Sequence, residues 1–267
     1  MRSNLLKIVF FIILFFSSAR ATSNAQADNF PWEGKRKSEH FIVYYQSAPL
    51  GYIDELLNRA EKYYNDINNE FGFIRVEDFW TWDKRTKIFL FKDKNSFRAL
   101  VNHPEWSAGE VKVITREIYT YVNMGDFFEA ILPHELGHIV FREFIGYKKK
   151  LPLWLDEGVV CFLEKNNRAE RLMVVKKIVN TRSFMPISEL NDIKRNSIFM
   201  PEIFYAESSS IMQFLMTVYG KEKFLAFCRM LKAMENAGNW ELALKSAYGI
   251  ENTQDLNDKW VKFLKSN

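Results

Sequence analysis

The strongest chemical signal in the sequence is His134-Glu135-Leu136-Gly137-His138, two histidines four residues apart with a glutamate between them. Phe127, Ile131, Leu136, Ile139 and Val140 recur around it at helical spacing, and on a helix positions i and i+4 share one face. Two neutral imidazoles one turn apart can bind the same Zn²⁺ at about 2.0–2.1 Å each, leaving places for a third ligand and a water. Glu135 lies beside them and can take that water's proton. The chain has only four histidines, so a chance match to this pattern is rare.

A catalytic zinc needs a third protein ligand. No histidine follows His138, and Phe141 and Phe144 stand where the extended three-histidine pattern requires Gly and His, which excludes that pattern. The ligand is therefore a carboxylate or one of the upstream histidines. Neither His40 nor His103 sits in a ligand-like spacing, and both read as structural or exposed. Downstream lies Leu153-Trp154-Leu155-Asp156-Glu157-Gly158-Val159-Val160, in which Glu157 opens a second amphipathic stretch after the break around Pro152. Read alone, Glu157 could simply be a charge complementing a helix N-terminus.

The combination of HExxH, eighteen intervening residues and a glutamate in a Trp-Leu-Asp-Glu-Gly context resembles the gluzincin metallopeptidases, over roughly residues 126–165. The resemblance implies zinc held by His134, His138 and Glu157, with Glu135 as the catalytic base. It extends to M1 aminopeptidases and to the smaller peptidase-MA-like families. The Gly-x-Met-Glu-Asn strand of M1 enzymes is missing between residues 80 and 125, and Ala233-Met234-Glu235-Asn236 lies about a hundred residues too far downstream. The peptidase-MA-like families are the better match. Tyr205-Ala206-Glu207-Ser208 is similar to their Tyr-Ala-x-Ser segment, which implies that Tyr205 faces the metal and acts in catalysis. In gluzincins the strand before the HExxH helix pairs with extended substrate, and Ile118–Val122 occupies that position. The reading as an ordinary interior strand stands equally.

The elements that must position these residues follow from periodicity. His40–Tyr45 and Lys87–Phe91 are β-rich, with shorter β-like stretches at Glu110–Thr115 and Glu117–Val122. Leu56, Leu57, Ala60, Tyr63, Tyr64, Ile67 and Phe71 recur at helical spacing up to Gly72. From Asp126 onward the segments 126–145, 154–164, 168–180, 202–218, 221–235, 239–247 and 253–265 are helical, punctuated by Gly146, Pro152, Pro186, Pro201 and Gly220. The expected fold is α+β: a small mixed N-terminal sheet with a helix, over 38–125, then a mostly helical half, over 126–267; the gluzincin resemblance implies that this second half is the zinc-binding part of a thermolysin-like zincin.

The composition is 48% hydrophobic and 16% aromatic, ample for a packed core. Trp80, Trp82, Trp106 and Trp154 most simply fill it. At the start, Arg2 and Lys7 precede an apolar run Ile8–Phe16 and then Ser17-Ser18-Ala19-Arg20-Ala21. This reads as a signal peptide, 1–21, cleaved after Ala21, followed by a linker, 22–37. The apolar run is shorter than the roughly 20 residues that span a bilayer, and a retained leader serving as an anchor is the alternative. The expected location is exported, periplasmic or secreted, and the missing Asn-x-Ser/Thr sequon leans toward a periplasm. The leader carries three basic and no acidic residues, which leaves 34 Lys+Arg against 33 Asp+Glu. With no charge excess to hold a phosphate backbone, nucleic acid is excluded as a partner. The expected partner is a peptide or protein substrate. Cys161 and Cys228 could form one disulfide or remain two buried thiols. The rival to an enzyme is a non-catalytic exported protein that binds zinc or peptides. Glu135 argues against it, because a structural site has no use for that carboxylate and closes with a fourth protein ligand, for which Cys161 is the nearest thiol.

Overall fold

A computed structural model describes residues 30–73, 84–100, 109–122, 127–234 and 239–266. The leader, residues 22–29 of the expected linker, His103, Trp80, Trp82, Trp106 and the Glu235-Asn236 pair lie outside them. The fold is α+β. Strands β1 (Gly34–Lys37), β2 (Phe41–Tyr45), β3 (Thr86–Phe91), β4 (Gly109–Lys112) and β5 (Glu117–Tyr121) form one mixed sheet in the order β1-β2-β3-β5-β4. β2, β3 and β5 run parallel, and β1 and β4 pair antiparallel at the two ends. Helix α1 (Leu50–Phe71) makes the crossover from β2 to β3, and the short α2 (Lys94–Leu100) follows β3. The helical half contains α3 (Leu132–Ile145), α4 (Leu153–Leu163), α5 (Arg168–Ile178), α6 (Ile187–Asp192), α7 (Pro201–Ala233), α8 (Trp240–Tyr248) and α9 (Thr253–Ser266). Among the described residues no helix is long and apolar enough to cross a membrane.

Strand alternation divides the sheet's side chains between two faces. Phe41, Val43, Ile88, Leu90, Val111 and Ile118 enter the main core with Leu56 and Ala60 of α1 and Leu136 and Val140 of α3. The opposite face carries Phe89, Phe91, Tyr119 and Tyr121, packed with Phe97 and with Tyr44, Phe30 and Trp32. Tyr44, Phe89 and Tyr119 stack in sequence, with centroids 5.3 and 4.8 Å apart.

Several expectations are corrected. The Ile118–Val122 stretch is not an edge: β5 is buried along its whole length and lies between β3 and β4, so the strand at that end of the sheet is β4. Its aromatic and β-branched residues are what a strand buried on both faces needs. The last four residues of the expected linker form β1, which pairs with β2 from Gly34↔Tyr45 to Lys37↔Ile42. Helices α2 and α6 were not foreseen, because seven and six residues are too few to display a period. The stretches 202–218 and 221–235 are, as expected, two helical segments separated at Gly220, whose φ of 81° is non-helical; they follow each other so directly within Pro201–Ala233 that both carry the label α7. Cys161 and Cys228 are both buried free thiols, which settles the pairing in favour of no bridge. His40 is structural, with Nδ1 2.6 Å from Glu61 Oε2.

The first half of α7 is the central helix, buried from Ala206 to Met212. Two of its three buried serines are satisfied: Ser208 Oγ donates to Phe204 O (2.7 Å), and Ser210 Oγ donates to Glu207 O (3.0 Å) while accepting from Trp260 Nε1 (3.1 Å), whereas Ser209 Oγ is buried without a partner. Glu207 is less well served. Its Oε1 accepts the Met185 N–H at 2.9 Å, but Oε2 is buried without a partner. Burial pushes this carboxyl up to about 8, against the pull of the Met185 N–H and with some help from Glu189. A folded-state value above the unfolded one means that the contribution to stability is fully present below about pH 4.5 and is lost as pH rises toward 8. Each pH unit of displacement corresponds to about 1.4 kcal/mol. Glu207→Gln, neutral at every pH, should therefore be more stable than the wild type at pH 8 by up to about 4 kcal/mol, with the gap closing at pH 5. Urea midpoints of the two proteins measured across pH 5–8 test this, and parallel curves would refute it.

Candidate metal centre

Helix α3 carries Pro133 in its first turn, where its missing N–H is not needed. One helical pitch then puts the imidazoles of His134 and His138 on the same side, with their Nε2 atoms 3.2 Å apart. The third group arrives by way of a clamp. Arg142, one turn after His138, donates through Nη1 to Lys149 O in the turn (2.6 Å) and through Nε and Nη2 to Asp156 (2.9 and 3.0 Å). This double grip fixes both the turn and the start of α4, and Glu157 follows facing α3. Two glycines permit the close packing. A Cβ on Gly137 would come within 2.7 Å of Leu163 on α4, and one on Gly158 within 2.5 Å of the Ser208 carbonyl oxygen on α7.

Glu157 Oε2 lies 3.7 Å from Nε2 of each histidine. Donor atoms about 2.0–2.1 Å from a tetrahedral zinc sit about 3.3 Å from one another, so three separations of 3.2–3.7 Å suit a single ion. Oε2 is also buried without a hydrogen-bond partner, a cost that a metal would remove. On the far side, one of the two ring nitrogens is held as ligation demands. His134 Nδ1 is 2.9 Å from Glu164 Oε1; a carboxylate can only accept, so Nδ1 carries the proton and Nε2 presents its lone pair. His138 Nδ1 lies 3.8 Å from Asp156 Oδ1, an ion-pair distance too long for a hydrogen bond. Asp156 thus stands behind His138.

The electrostatics are those of a buried anionic pocket. Burial alone would lower His138, but Glu157 and Asp156 outweigh it and raise the imidazole to about 9. Burial would raise Glu157, yet Arg195, whose Nη2 donates to Oε1 at 2.6 Å, and then His138 bring it down to about 2. Glu164 is likewise held at about 2, its burial overcome by His134 and by Arg171, which donates at 2.7 Å. Glu135 differs: it is wholly buried, neither oxygen has a hydrogen-bond partner, and burial pushes it up to about 7 against the pull of His134 and His138. Tyr205, on α7, lies close enough to Glu157 and Arg195 to feel their charges. Burial and then Glu157 push its hydroxyl up, Arg195 pulls it down, and Cys161 and Glu135 push further.

His134, His138 and Glu157 thus converge, with Glu135 and Tyr205 beside them. Cys161 does not join that set. It groups instead with Glu164 on the far side of His134, and Glu164 is already engaged by His134, Asn167 and Arg171. Sequence reading missed Arg142, Glu164, Arg171 and Arg195. Arg142 and Glu164 left a signal, one turn after His138 and two turns after Glu157, on the same helix faces. Arg195, 38 residues from its partner, left none. A family model for the Peptidase MA superfamily matches residues 81–266, and a search of curated proteins returns no match to the chain.

Proposed function

The chain belongs to the Peptidase MA superfamily, and on that premise we propose that it is an exported zinc-dependent peptidase of the gluzincin type, with His134, His138 and Glu157 as ligands and Glu135 as general base. The observation that carries the reading is the convergence of three buried donor atoms beside an unpartnered carboxylate. When bound, zinc supplies Lewis-acid chemistry: it polarises the scissile carbonyl and lowers the pKa of water. The protein's own groups do the rest. Glu135 takes the proton of the attacking water and later gives it to the leaving amine. Glu164 fixes the tautomer of His134. Arg142 fixes Asp156 behind His138. Tyr205 donates a hydrogen bond to the developing oxyanion. Export rests on the leader, and the substrate is a peptide or protein.

The reading is tested by metal analysis of the purified protein together with digestion of a peptide library with and without a chelator. One zinc per chain and chelator-sensitive cleavage are expected. Bound zinc without cleavage of any peptide would favour the non-catalytic binding protein instead. Tyr205→Phe probes the weakest of these assignments. It should keep full zinc occupancy and lose roughly 10²–10³ in kcat with little change in KM, as for the loss of one oxyanion donor. Steady-state kinetics within about twofold of wild type, worth only about 0.4 kcal/mol of barrier, would remove Tyr205 from the mechanism.

A further inference from the structure

Three arginines surround the centre, and they are not equally satisfied. Arg142 engages Asp156 through two nitrogens and Lys149 O through the third. Arg171 donates Nη2 to Glu164 and Nη1 to Cys161 O. Arg195, in the one-turn segment Arg195–Ser197 between α6 and α7, gives Nη2 to Glu157 Oε1, but its Nη1 is buried without a hydrogen-bond partner. The guanidinium is planar and rigid, and it matches a carboxylate as a two-pronged fork. Nη1 is therefore fixed beside Nη2, one guanidinium width from the carboxylate that faces both histidines. Of the three side chains that touch a ligand, Arg195 is also the most accessible, 17% exposed against 8% for Glu164 and 2% for Asp156.

Charge leads to the same place. Asp156 and Glu164 are each neutralised by an arginine of their own. Glu157 is shared: it faces both histidines as well as Arg195, so a dication on the three ligands would draw on the carboxylate that is the charge partner of Arg195. A buried, half-bonded cation calls for an anionic acceptor. We propose that Arg195 binds a carboxylate of the substrate close to the bond that is cut, through Nη1, while Nη2 holds Glu157. The proposal rests on the peptidase reading and narrows it. The preferred peptides carry a carboxylate flanking the scissile bond, either the free C-terminus or an acidic side chain.

Matched peptide pairs decide the matter on the unaltered protein. One pair differs in a free or amidated C-terminus next to the cleaved bond, the other in Asp or Asn at that position. Removing the carboxylate should lower kcat/KM at least about tenfold, since a site built to bind a polar group rejects the analogue lacking it. A fall confined to the first pair identifies the chain end, and one confined to the second identifies the side chain. Ratios within twofold in both pairs overturn the proposal while leaving the peptidase reading intact. Binding gives an answer that does not depend on turnover. Calorimetry on zinc-loaded Glu135→Gln should find N-acetyl-Ala-Ala at least tenfold tighter than its amide, or N-acetyl-Asp amide at least tenfold tighter than N-acetyl-Asn amide; equal affinity within both pairs overturns the proposal. Arg195→Lys keeps a positive charge on Glu157 but loses the fork. It should retain zinc and show a narrower acid-to-amide ratio, and an unchanged ratio in the zinc-loaded variant would count against Arg195.

Discussion

Glu135→Gln should retain one zinc per chain and lose at least about 10³ in kcat. The amide is nearly isosteric with the carboxyl but cannot accept a proton from water, and general-base catalysis alone is worth about 10²–10⁴. Stability provides a second readout. Both Glu135 oxygens are buried without partners, so in the metal-free protein an ionised carboxylate there costs more folding free energy than a neutral amide does. The metal-free variant should therefore unfold at a temperature no lower than the metal-free wild type. Such a pairing, lost activity with retained or increased stability, is characteristic of a residue kept for chemistry. Zinc analysis, steady-state kinetics and thermal unfolding of the two proteins make the test. Cleavage within tenfold of wild type would exclude Glu135 as the base.

Removal of a ligand should have the other large effect. His134→Ala, His138→Ala and Glu157→Ala should each weaken zinc binding by more than about 100-fold, since the loss of an outer partner alone typically costs 10–100-fold. The three should differ in stability. Glu157→Ala also removes the anion bonded to Arg195, leaving a cation buried without its partner, and should be the least stable of the three in the metal-free state. Asp156 cannot replace Glu157, because both of its oxygens are held by Arg142. Undiminished zinc in Glu157→Ala would refute its assignment as third ligand. Competition with a chromophoric chelator, run beside urea unfolding, measures both quantities.

What the sequence determined by itself was whatever depends on helical pitch and short reach. Backbone bonding from i to i−4 places His134 and His138 on one face wherever α3 lies, so their convergence was legible from spacing alone. The sheet-then-helices order was legible for the same reason, because alternation by two and recurrence near 3.6 are local properties. Glu157 was visible only through the residues around it. What brings it to the histidines is the grip of Arg142 on Lys149 O and Asp156, together with the space left by Gly137 and Gly158. Tertiary structure alone decided the rest. β5 became an interior strand because β4, which precedes it in the chain, folds back antiparallel along its outer side. Arg195 meets Glu157 across 38 residues, and Tyr205 comes close enough to feel their charges only because α7 packs closely on α4 at Gly158. No period in the sequence records such meetings, since they depend on how elements pack once formed, and that packing is settled by the summed burial of side chains spread along the whole chain.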